Sequence, residues 1–282
     1  MNKKEICIVI PIYKETLNVF EMQSVYQCIK VLSDYTVHFV CPKGLNVNLY
    51  KEKFSEIENF TYFDKHYFED LAGYNRLMLS VCFYKAFNKY QYMLIYQTDC
   101  YVFKDELLDW ANKGYDYIGG IWFEGFVGNP YLGSKLWQAG NGGFSLRKIK
   151  SIARLLASKK PINNIHQLLI TKKKLYKKGK INFFKALFLL PLNIFGYQNN
   201  YNYQAEMHSL NEDVFFMEAY SKHKALKMPD VEDAISFSWD RCPTFLYQKL
   251  GQFPFACHAW FREDFPYEEN KEFWFKHIKI KQ

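Results

Sequence analysis

The sequence lacks a glycine-rich turn after its first predicted strand. The apolar run at 6–12 predicts a buried strand, and the loop that follows it, PIYKETLN, contains no glycine. A dinucleotide-binding domain would have G-x-G-x-x-G at this point, and a P-loop enzyme or a nucleotidyltransferase would also have glycines there. The loop therefore argues against these three classes of protein.

The cysteines lack the spacing of a metal site or a disulfide framework. They lie at positions 7, 28, 41, 82, 100, 242 and 257, with no CxxC pair. An odd, scattered set of thiols favours a reducing, cytosolic compartment. The N-terminal stretch MNKKEICIVIPIYKE has no small-residue cleavage site after its apolar run. We therefore interpret that run as a first strand and not as a signal peptide.

Acidic residues are missing from one long stretch of the chain. Residues 151–205 contain ten Lys or Arg and no Asp or Glu, which leaves a net charge of −2 for the rest of a chain whose total is +8. The positive charge is therefore local. This argues against a general nucleic-acid-binding surface and predicts that one segment meets an anionic partner.

The basic stretch lies in a predicted insert at 158–205. Its apolar part is interrupted by Lys185 and Pro191 and is too short to span a bilayer, which needs about twenty apolar residues. Lysines beside Phe and Leu, from Lys172 to Phe195, are typical of a segment that lies in an anionic membrane interface. A substrate lid, or a helical excursion packed on the body, explains the pattern equally well. The expected location is cytoplasmic, and peripheral at the inner face of the cytoplasmic membrane if the first alternative holds.

The rest of the chain has the pattern of an α/β protein. Hydrophobic residues make up 49% of it and aromatic residues 19%. Apolar runs at 6–12 and 37–41 flank a helical pattern at 19–32, which predicts a β-α-β opening with a mostly parallel sheet. Further strands are predicted at 60–63, 92–97, 115–120, 142–147, 234–237 and 255–258, and helices at 73–87 and after 211. We expect one domain that spans 1–282.

Acidic residues lie at the ends of two of these predicted elements, one after a strand and a pair at the start of a helix. In LIYQTDC an apolar strand runs directly into Asp99, and ligands of open α/β sheets bind at this edge because loops converge there. Glu212 and Asp213 open the helix predicted after Asn211, where the helix dipole stabilises carboxylates. Charge complementarity at a helix start and a role in acid–base chemistry both explain this second pair.

The order of several motifs resembles that of the GT-A glycosyltransferases, which use nucleotide-sugar donors. PIYKE is similar to the turn that ends their first strand. GYNRLMLS, YQTD, NGGFSLR, NEDVFF and CHAW follow in the order found in β-1,4-galactosyltransferases. The match is closer to a bacterial family of uncharacterised, glycosyltransferase-like proteins associated with surface-polysaccharide genes, and it covers nearly the whole chain except the insert.

This resemblance implies a single GT-A-like, Rossmann-like domain and a hexosyltransferase-like enzyme. The reaction would transfer a sugar from a nucleotide-sugar, with UDP the expected nucleotide, to a glycan or lipid-linked acceptor with inversion. Asp99 and His258 would bind Mn²⁺ or Mg²⁺. Asp213 would accept the proton of the acceptor hydroxyl and Glu212 would bind substrate, although the two roles could be exchanged.

The resemblance also implies a set of donor contacts. These residues are Pro11, Tyr13, Asn75, Arg76, Gln97, Asp99, Gly142 and Gly143. Tyr13 is expected to stack on the base, and Asn75 with Arg76 to meet the nucleotide or its phosphates. The two glycines would let the backbone approach the donor sugar. Candidate sugar platforms, which aromatic ring faces can form, are Trp122, Trp137 and Trp260.

The chain departs from these relatives at their D-x-D motif. Here it reads Gln97-Thr98-Asp99, so an amide replaces the first carboxylate. Gln97 can still hydrogen-bond a ribose hydroxyl, but it adds no negative charge, and we expect weaker metal binding. A metal-independent enzyme, a non-catalytic nucleotide- or glycan-binding module, and a glycoside hydrolase that uses Asp99 and Asp213 remain alternatives.

Overall fold

Strands and helices alternate along the chain. The computed structural model describes residues 1–125, 135–177, 179, 182–264 and 267–280. The strands are β1 (Ile6–Pro11), β2 (Thr36–Pro42), β3 (Asn59–Phe63), β4 (Tyr92–Tyr96), β5 (Tyr101–Val102), β6 (Tyr117–Phe123), β7 (Leu136–Lys148), β8 (Ser238–Trp239) and β9 (Ala256–Cys257). The α-helices are α1 (Val19–Val31), α2 (Asn48–Lys53), α3 (Leu71–Met78), α4 (Val81–Ala86), α5 (Leu107–Asn112), α6 (Ile149–Leu156), α7 (Ile165–Lys177), α8 (Phe183–Ile194), α9 (Tyr201–Glu206), α10 (Glu212–His223), α11 (Val231–Phe237), α12 (Pro243–Leu250) and α13 (Asn270–His277). Short 3₁₀ helices lie at Lys3–Glu5 and Lys65–Tyr67.

The central sheet has the strand order β3-β2-β1-β4-β7-β6. Strands β1 to β4 are parallel to one another, whereas β7 is antiparallel to both β4 and β6. Five of the six strands therefore point the same way, and the predicted α/β fold with a mostly parallel sheet is confirmed. A smaller sheet has the order β5-β9-β8.

The central strands are buried on both faces. Alternate residues of β1 belong to different halves of the core: Cys7 and Val9 face one side, and Ile6 and Ile8 the other. Side chains of a strand alternate between faces, so a strand covered on both sides must be apolar throughout. This explains why the continuous apolar run at 6–12 predicted β1 correctly.

The register of β1 and β4 brings two chain turns to one edge of the sheet. Val9 is paired with Ile95, so the carboxyl ends of both strands lie side by side. The turn that carries Tyr13 leaves β1 at this edge, and Gln97 to Asp99 leave β4 there. Residues far apart in sequence are thus brought together where α/β folds bind ligands.

The strand predicted at 234–237 is wrong, because these residues form the end of α11. Asp230 caps this helix, since its side chain accepts a hydrogen bond from the backbone N–H of Asp233. Acidic residues also fill the first turn, where the helix dipole favours them. The strand that follows, β8, comprises only two residues.

The single helix predicted at 73–87 is also wrong, because it is broken into α3 and α4. Ser80 lies at the break and caps α4: its hydroxyl accepts a hydrogen bond from Phe83 N–H and donates one to the Leu77 carbonyl. Serine competes with the helical backbone for such hydrogen bonds, so it starts a new helix within an otherwise continuous apolar pattern.

The basic insert contains α7 and α8, and an asparagine neck (Asn163, Asn193 and Asn199) joins its two ends. The Asn163 backbone and side-chain amides donate to Asn199 Oδ1 at 3.0 and 2.9 Å, and Asn199 Nδ2 donates to the Asn163 and Asn193 carbonyls. Within the described ranges, each helix falls short of the length and apolar character that crossing a membrane would require. The predicted interfacial lysines at 178 and 180 lie outside the described residues.

Candidate active site

A cavity of about 490 Å³ opens at the carboxyl edge of β1 and β4. Its lining side chains are Pro11, Tyr13, Glu21, Tyr67, Phe68, Glu69, Asp70, Leu71, Tyr74, Gln97, Thr98, Asp99, Phe261 and Arg262. The predicted residues Pro11, Tyr13, Gln97 and Asp99 therefore share one cavity. A larger cavity of about 610 Å³ lies along α1, but none of the predicted site residues lines it.

Asp99, Gln97 and His258 converge at the wall of the smaller cavity. His258 Nε2 lies 3.2 Å from Asp99 Oδ1 and 3.1 Å from Gln97 Oε1. His258 follows β9, so the small sheet carries it to the end of β4. A carboxylate oxygen, an amide oxygen and an imidazole nitrogen thus point toward one another. The amide that replaces the first aspartate therefore reaches the same place as the predicted metal-binding pair.

A second carboxylate holds the His258 ring from the other side. His258 Nδ1 lies 2.6 Å from Asp240 Oδ1, and Asp240 is buried. Burial lowers the pKa of His258, but Asp99 and Asp240 outweigh burial and raise that pKa to about 10. A carboxylate at Nδ1 fixes the ring orientation and leaves Nε2 facing Asp99, which is the usual arrangement behind a metal-binding histidine. With the pKa raised to about 10, Nε2 carries a proton at neutral pH, and a metal ion that binds there must displace this proton.

The donor atoms at this position fit a hard divalent cation. Ligand atoms of Asp99, Cys100 and His258 lie within 4.8 Å of one another. The Cys100 thiol, however, donates to the Gly143 carbonyl at 3.3 Å, and burial followed by the charge of Asp99 raises the pKa of this thiol well above its usual value. The remaining oxygen and nitrogen donors suit Mn²⁺ or Mg²⁺ better than a thiolate-bound zinc.

Two adjacent glycines separate this cluster from the predicted catalytic pair. A Cβ atom on Gly143 would lie 2.3 Å from His258 Nε2, and one on Gly142 would lie 2.5 Å from Glu212 Oε1. Both distances are shorter than Cβ contacts in real structures, so a larger residue at either position would displace His258 or Glu212. The side chains of His258 and Glu212 therefore lie close to the backbone at these glycines. The predicted approach of a donor sugar to the same glycines stays a prediction.

Glu212 is held by a fully buried arginine. Arg147 on β7 is 0% exposed, and its Nη2 lies 2.9 Å from Glu212 Oε1. The same guanidinium donates to the Tyr84 hydroxyl and to Ser145 Oγ. A buried charge is costly unless it is paired and hydrogen-bonded, so this pair fixes Glu212 in place.

Asp213 has no such cationic partner among the described residues. Its Oδ2 accepts a hydrogen bond from Gly142 N–H at 3.1 Å, and its Oδ1 accepts one from Val214 N–H at 2.8 Å. Burial is the first cause that raises the pKa of Asp213, and the charge of Glu212 is the second; together they bring it to about 8. The raised pKa makes the ionised form of Asp213 a stronger base than an ordinary carboxylate, and this form predominates above about pH 8.

Asn75 and Arg76 lie outside the cavity lining. Asn75 is buried; its Oδ1 accepts from Glu212 N–H at 3.3 Å and its Nδ2 donates to Asn211 Oδ1. It therefore positions the start of α10. Arg76 is exposed on α3. Their predicted contact with the nucleotide stays a prediction.

The predicted aromatic contacts differ in exposure. Tyr13 is 61% exposed at the cavity, where a base could stack on it. Trp122 and Trp260 are buried, and Trp260 Nε1 donates to Ser24 Oγ. Trp137 is 38% exposed and stacks on Trp122, so of the three tryptophans it is the one that presents a ring to solvent.

Sequence reasoning missed Asp240, Arg147 and Arg262. Asp240 directly follows the apolar strand β8, the same signal that singled out Asp99. Arg147 interrupts an apolar strand pattern, and a charge in a buried strand requires a partner. Arg262 lines the cavity beside Asp99 and pairs with Asp264, but its sequence surroundings carried no signal.

We expect Asp213→Asn to change the pH dependence of stability. Between the ordinary carboxyl pKa of 3.8 and about 8, only the folded protein retains the Asp213 proton, so unfolding releases it and the free energy of unfolding falls as pH rises. An asparagine side chain at this position cannot ionise. The melting temperature of Asp213→Asn relative to the parent should therefore increase by several degrees between about pH 5 and about pH 9, measured by differential scanning fluorimetry.

The matched control is Asp109→Asn, which removes an exposed carboxylate. In the control, the difference in melting temperature from the parent should not change with pH. If the difference for Asp213→Asn is also constant with pH, Asp213 is not held in its protonated form.

Comparison with known proteins identifies a family and several similar structures. A family model described as "Protein of unknown function (DUF5672)" matches residues 58–258, more than two thirds of the chain. No functionally curated protein matches the sequence significantly. The predicted link to an uncharacterised family is therefore confirmed, and the more distant link to β-1,4-galactosyltransferases stays a prediction.

Among solved structures, the chain is similar to mouse xyloside xylosyltransferase 1 in its apo form, with 12% identity, a TM-score of 0.46, and coverage of 89% of this chain and 96% of that one. It is also similar to core-mannan synthase A from Aspergillus fumigatus in its Mn/GDP form, with 8% identity, a TM-score of 0.38, and coverage of 74% and 71%. A third is S. aureus TarS 1–349, with 12% identity, a TM-score of 0.34, and coverage of 52% and 48%.

At these identities and TM-scores, the structural similarities assign no substrate, metal or mechanism to this chain. The family match does identify a family, because it spans most of the sequence, including β4, the glycine pair, α10 and His258. On that basis the protein belongs to the DUF5672 family of proteins of unknown function.

Proposed function

We propose that the protein is a glycosyltransferase that transfers a sugar from a nucleotide-sugar, with UDP the expected nucleotide, to a glycan or lipid-linked acceptor. The reaction proceeds with inversion and serves surface-polysaccharide synthesis on the cytoplasmic side of the membrane. One observation carries the proposal. The cavity at the carboxyl edge of the sheet meets a cluster of oxygen and nitrogen donors, and adjacent glycines separate that cluster from a buried carboxyl suited to accept a proton.

The cavity suits a nucleotide. Its volume, about 490 Å³, lies within the range of roughly 300–1,000 Å³ common for small-molecule sites. Tyr13, Tyr67 and Tyr74 supply aromatic surface at this cavity. Aromatic faces bind bases, so these side chains suit the base of the donor.

The diphosphate half requires positive charge. Asp99, His258 and the Gln97 amide oxygen would hold Mn²⁺ or Mg²⁺, which when bound neutralises charge on the leaving diphosphate. Arg262 lines the same cavity and offers several N–H donors to phosphate oxygens. We therefore assign the phosphate contact to Arg262 in preference to Arg76, which does not line the cavity.

Asp213 is the better of the two candidate bases. Glu212 is bound by the Arg147 guanidinium, which holds its side chain in place and favours a role in hydrogen-bonding a sugar hydroxyl. Asp213 takes the proton of the acceptor hydroxyl; the acceptor oxygen bonds to the anomeric carbon, and the bond to the diphosphate breaks, with its electron pair leaving on the diphosphate. This assigns each carboxylate one role where the sequence alone left the two exchangeable.

A thermal-shift panel of UDP, GDP and CMP, with and without Mn²⁺, tests the donor and metal. We expect UDP with Mn²⁺ to raise the melting temperature by several degrees, because a ligand that binds only the folded state stabilises it. Asp99→Asn should remove the Mn²⁺-dependent part. Gln97→Asp, which supplies a second carboxylate, should enlarge that part, and Thr98→Ser is the matched control.

Failure of every nucleotide to stabilise the protein would argue against the proposal. A nucleotide response that is the same with and without Mn²⁺ would support a metal-independent site. Stabilisation by a nucleotide without turnover of any nucleotide-sugar would favour the non-catalytic binding module instead.

A pair of arginine variants tests the phosphate contact. We expect Arg262→Gln to weaken UDP binding by about tenfold, because a charge-assisted hydrogen bond to phosphate is lost. Arg76→Gln, on the exposed face of α3, should change the affinity by less than about twofold. Isothermal titration with UDP measures both, and the reverse order of effects would favour the sequence-based assignment of Arg76.

A pair of carboxylate variants tests the base. Asp213→Asn should lower the rate of UDP release from a nucleotide-sugar by about 10²–10⁴-fold without changing nucleotide affinity. Glu212→Gln weakens the pair with Arg147, so it should lower stability by about 3 kcal/mol and reduce the rate less. A parent-like rate for Asp213→Asn would show that the base assignment is wrong.

A further inference from the structure

We infer that the α7–α8 hairpin of the insert docks the protein on an anionic lipid bilayer, with apolar side chains of α8 entering the interface. The inference concerns a surface outside the proposed active site and does not require that transfer reaction. It rests on an exposed apolar stripe, on the local charge, and on how the hairpin is attached to the body.

The apolar stripe consists of Phe188, Leu192 and Phe195. These side chains are 74%, 42% and 85% exposed. Phe188 and Leu192 are four residues apart, which puts them on one side of α8, and Phe195 directly follows the end of that helix. Among the described residues most large apolar side chains are buried, so this exposed apolar group indicates a surface that another medium covers.

The neighbouring helix extends this exposed apolar surface. Ile165, Leu169 and Ile170 of α7 are each about half exposed, at 54%, 49% and 56%. Toward its C-terminal end the same helix exposes Lys173 and Lys177. Apolar residues beside lysines, without intervening acids, are the composition of helices that lie in the plane of a membrane interface.

Local charge favours an anionic bilayer over a second copy of the chain. Residues 151–205 carry ten Lys or Arg and no acidic residue. Two copies joined through this surface would oppose like charges, whereas anionic headgroups would neutralise them. A lid over the active site is also less suitable, because within the described chain no residue of the insert lines the 490 Å³ cavity.

The attachment of the hairpin supports docking in a defined orientation. The asparagine neck ties both ends of the insert together, and Asn199 is 1% exposed. Only α9 and a short loop separate the neck from α10, which carries Glu212 and Asp213. A bilayer that holds the hairpin would therefore hold the catalytic helix close to a lipid-linked acceptor.

Co-sedimentation of the full chain with vesicles tests this inference. We expect binding to phosphatidylcholine vesicles that contain phosphatidylglycerol, and at least tenfold weaker binding to vesicles of phosphatidylcholine alone. The double variant Phe188→Ser/Phe195→Ser should bind the anionic vesicles at least about tenfold more weakly. Lys173→Gln/Lys177→Gln should weaken binding by about fivefold for each lysine, an effect that added salt should reduce.

Matched controls change similar residues elsewhere. Lys51→Gln/Lys65→Gln removes two exposed lysines, and Val19→Ser/Tyr62→Ser removes two exposed apolar side chains, 54% and 43% exposed. Both should bind vesicles like the parent, and circular dichroism should be unchanged in all variants. These controls distinguish vesicle binding by this surface from non-specific binding through net charge or exposed apolar side chains.

Three outcomes would overturn the inference. The first is a parent protein that binds no vesicle, and the second is a Phe188→Ser/Phe195→Ser variant that binds like the parent. The third is a parent that is dimeric in solution and does not bind vesicles, and whose Phe188→Ser/Phe195→Ser variant is monomeric, which would identify the face as a protein interface. Nucleotide-induced thermal shifts report on the active site separately, so failure of one proposal is distinguishable from failure of the other.

Discussion

The buried guanidinium of Arg147 is the interaction on which the architecture around the active site depends. It pairs with Glu212, donates to Tyr84, and lies beside the rings of Tyr117 and Phe216, with its Cζ 5.4 Å from each ring centre. Removing one partner of a buried ion pair costs about 3–5 kcal/mol, because the remaining charge is left without compensation. The guanidinium therefore holds α4, β6 and α10 in a fixed relation to β7.

This constraint determines where the carboxylates of Glu212 and Asp213 lie. With Glu212 bound to Arg147, α10 must begin beside Gly142, and Asp213 then accepts the hydrogen bond of that glycine. The next residue, Gly143, lies against His258. Two adjacent glycines thus join a helix start and a histidine that are far apart in sequence. The charge of Asp240, which holds His258, is also among the causes that raise the pKa of Asp213, so the two halves of the site are electrostatically connected.

Local patterns predicted the parts of the fold that burial controls. Continuous apolar runs identified β1 and β4 because strands covered on both faces cannot alternate polar and apolar residues. Capping interactions overrode the same patterns at Asp230 and Ser80, where a hydrogen bond of one side chain started a helix within an apolar stretch. Asp99 could be selected as a candidate from the sequence because it follows a buried strand. Arg262 was not, because its position depends on the path of the chain after β9.

The sequence by itself determined the α/β class, the edge at which Asp99 lies, and the uneven charge of the insert, since each follows from residues close together in the chain. Only the tertiary structure decided that Gln97 and Asp99 meet His258, that Asp240 stands behind that ring, and that Arg147 rather than solvent faces Glu212. The physical reason is the sequence distance over which each interaction acts. Periodicity and capping act over a few residues, whereas the hydrogen bonds of a buried charge are satisfied by whichever strands and helices pack against it.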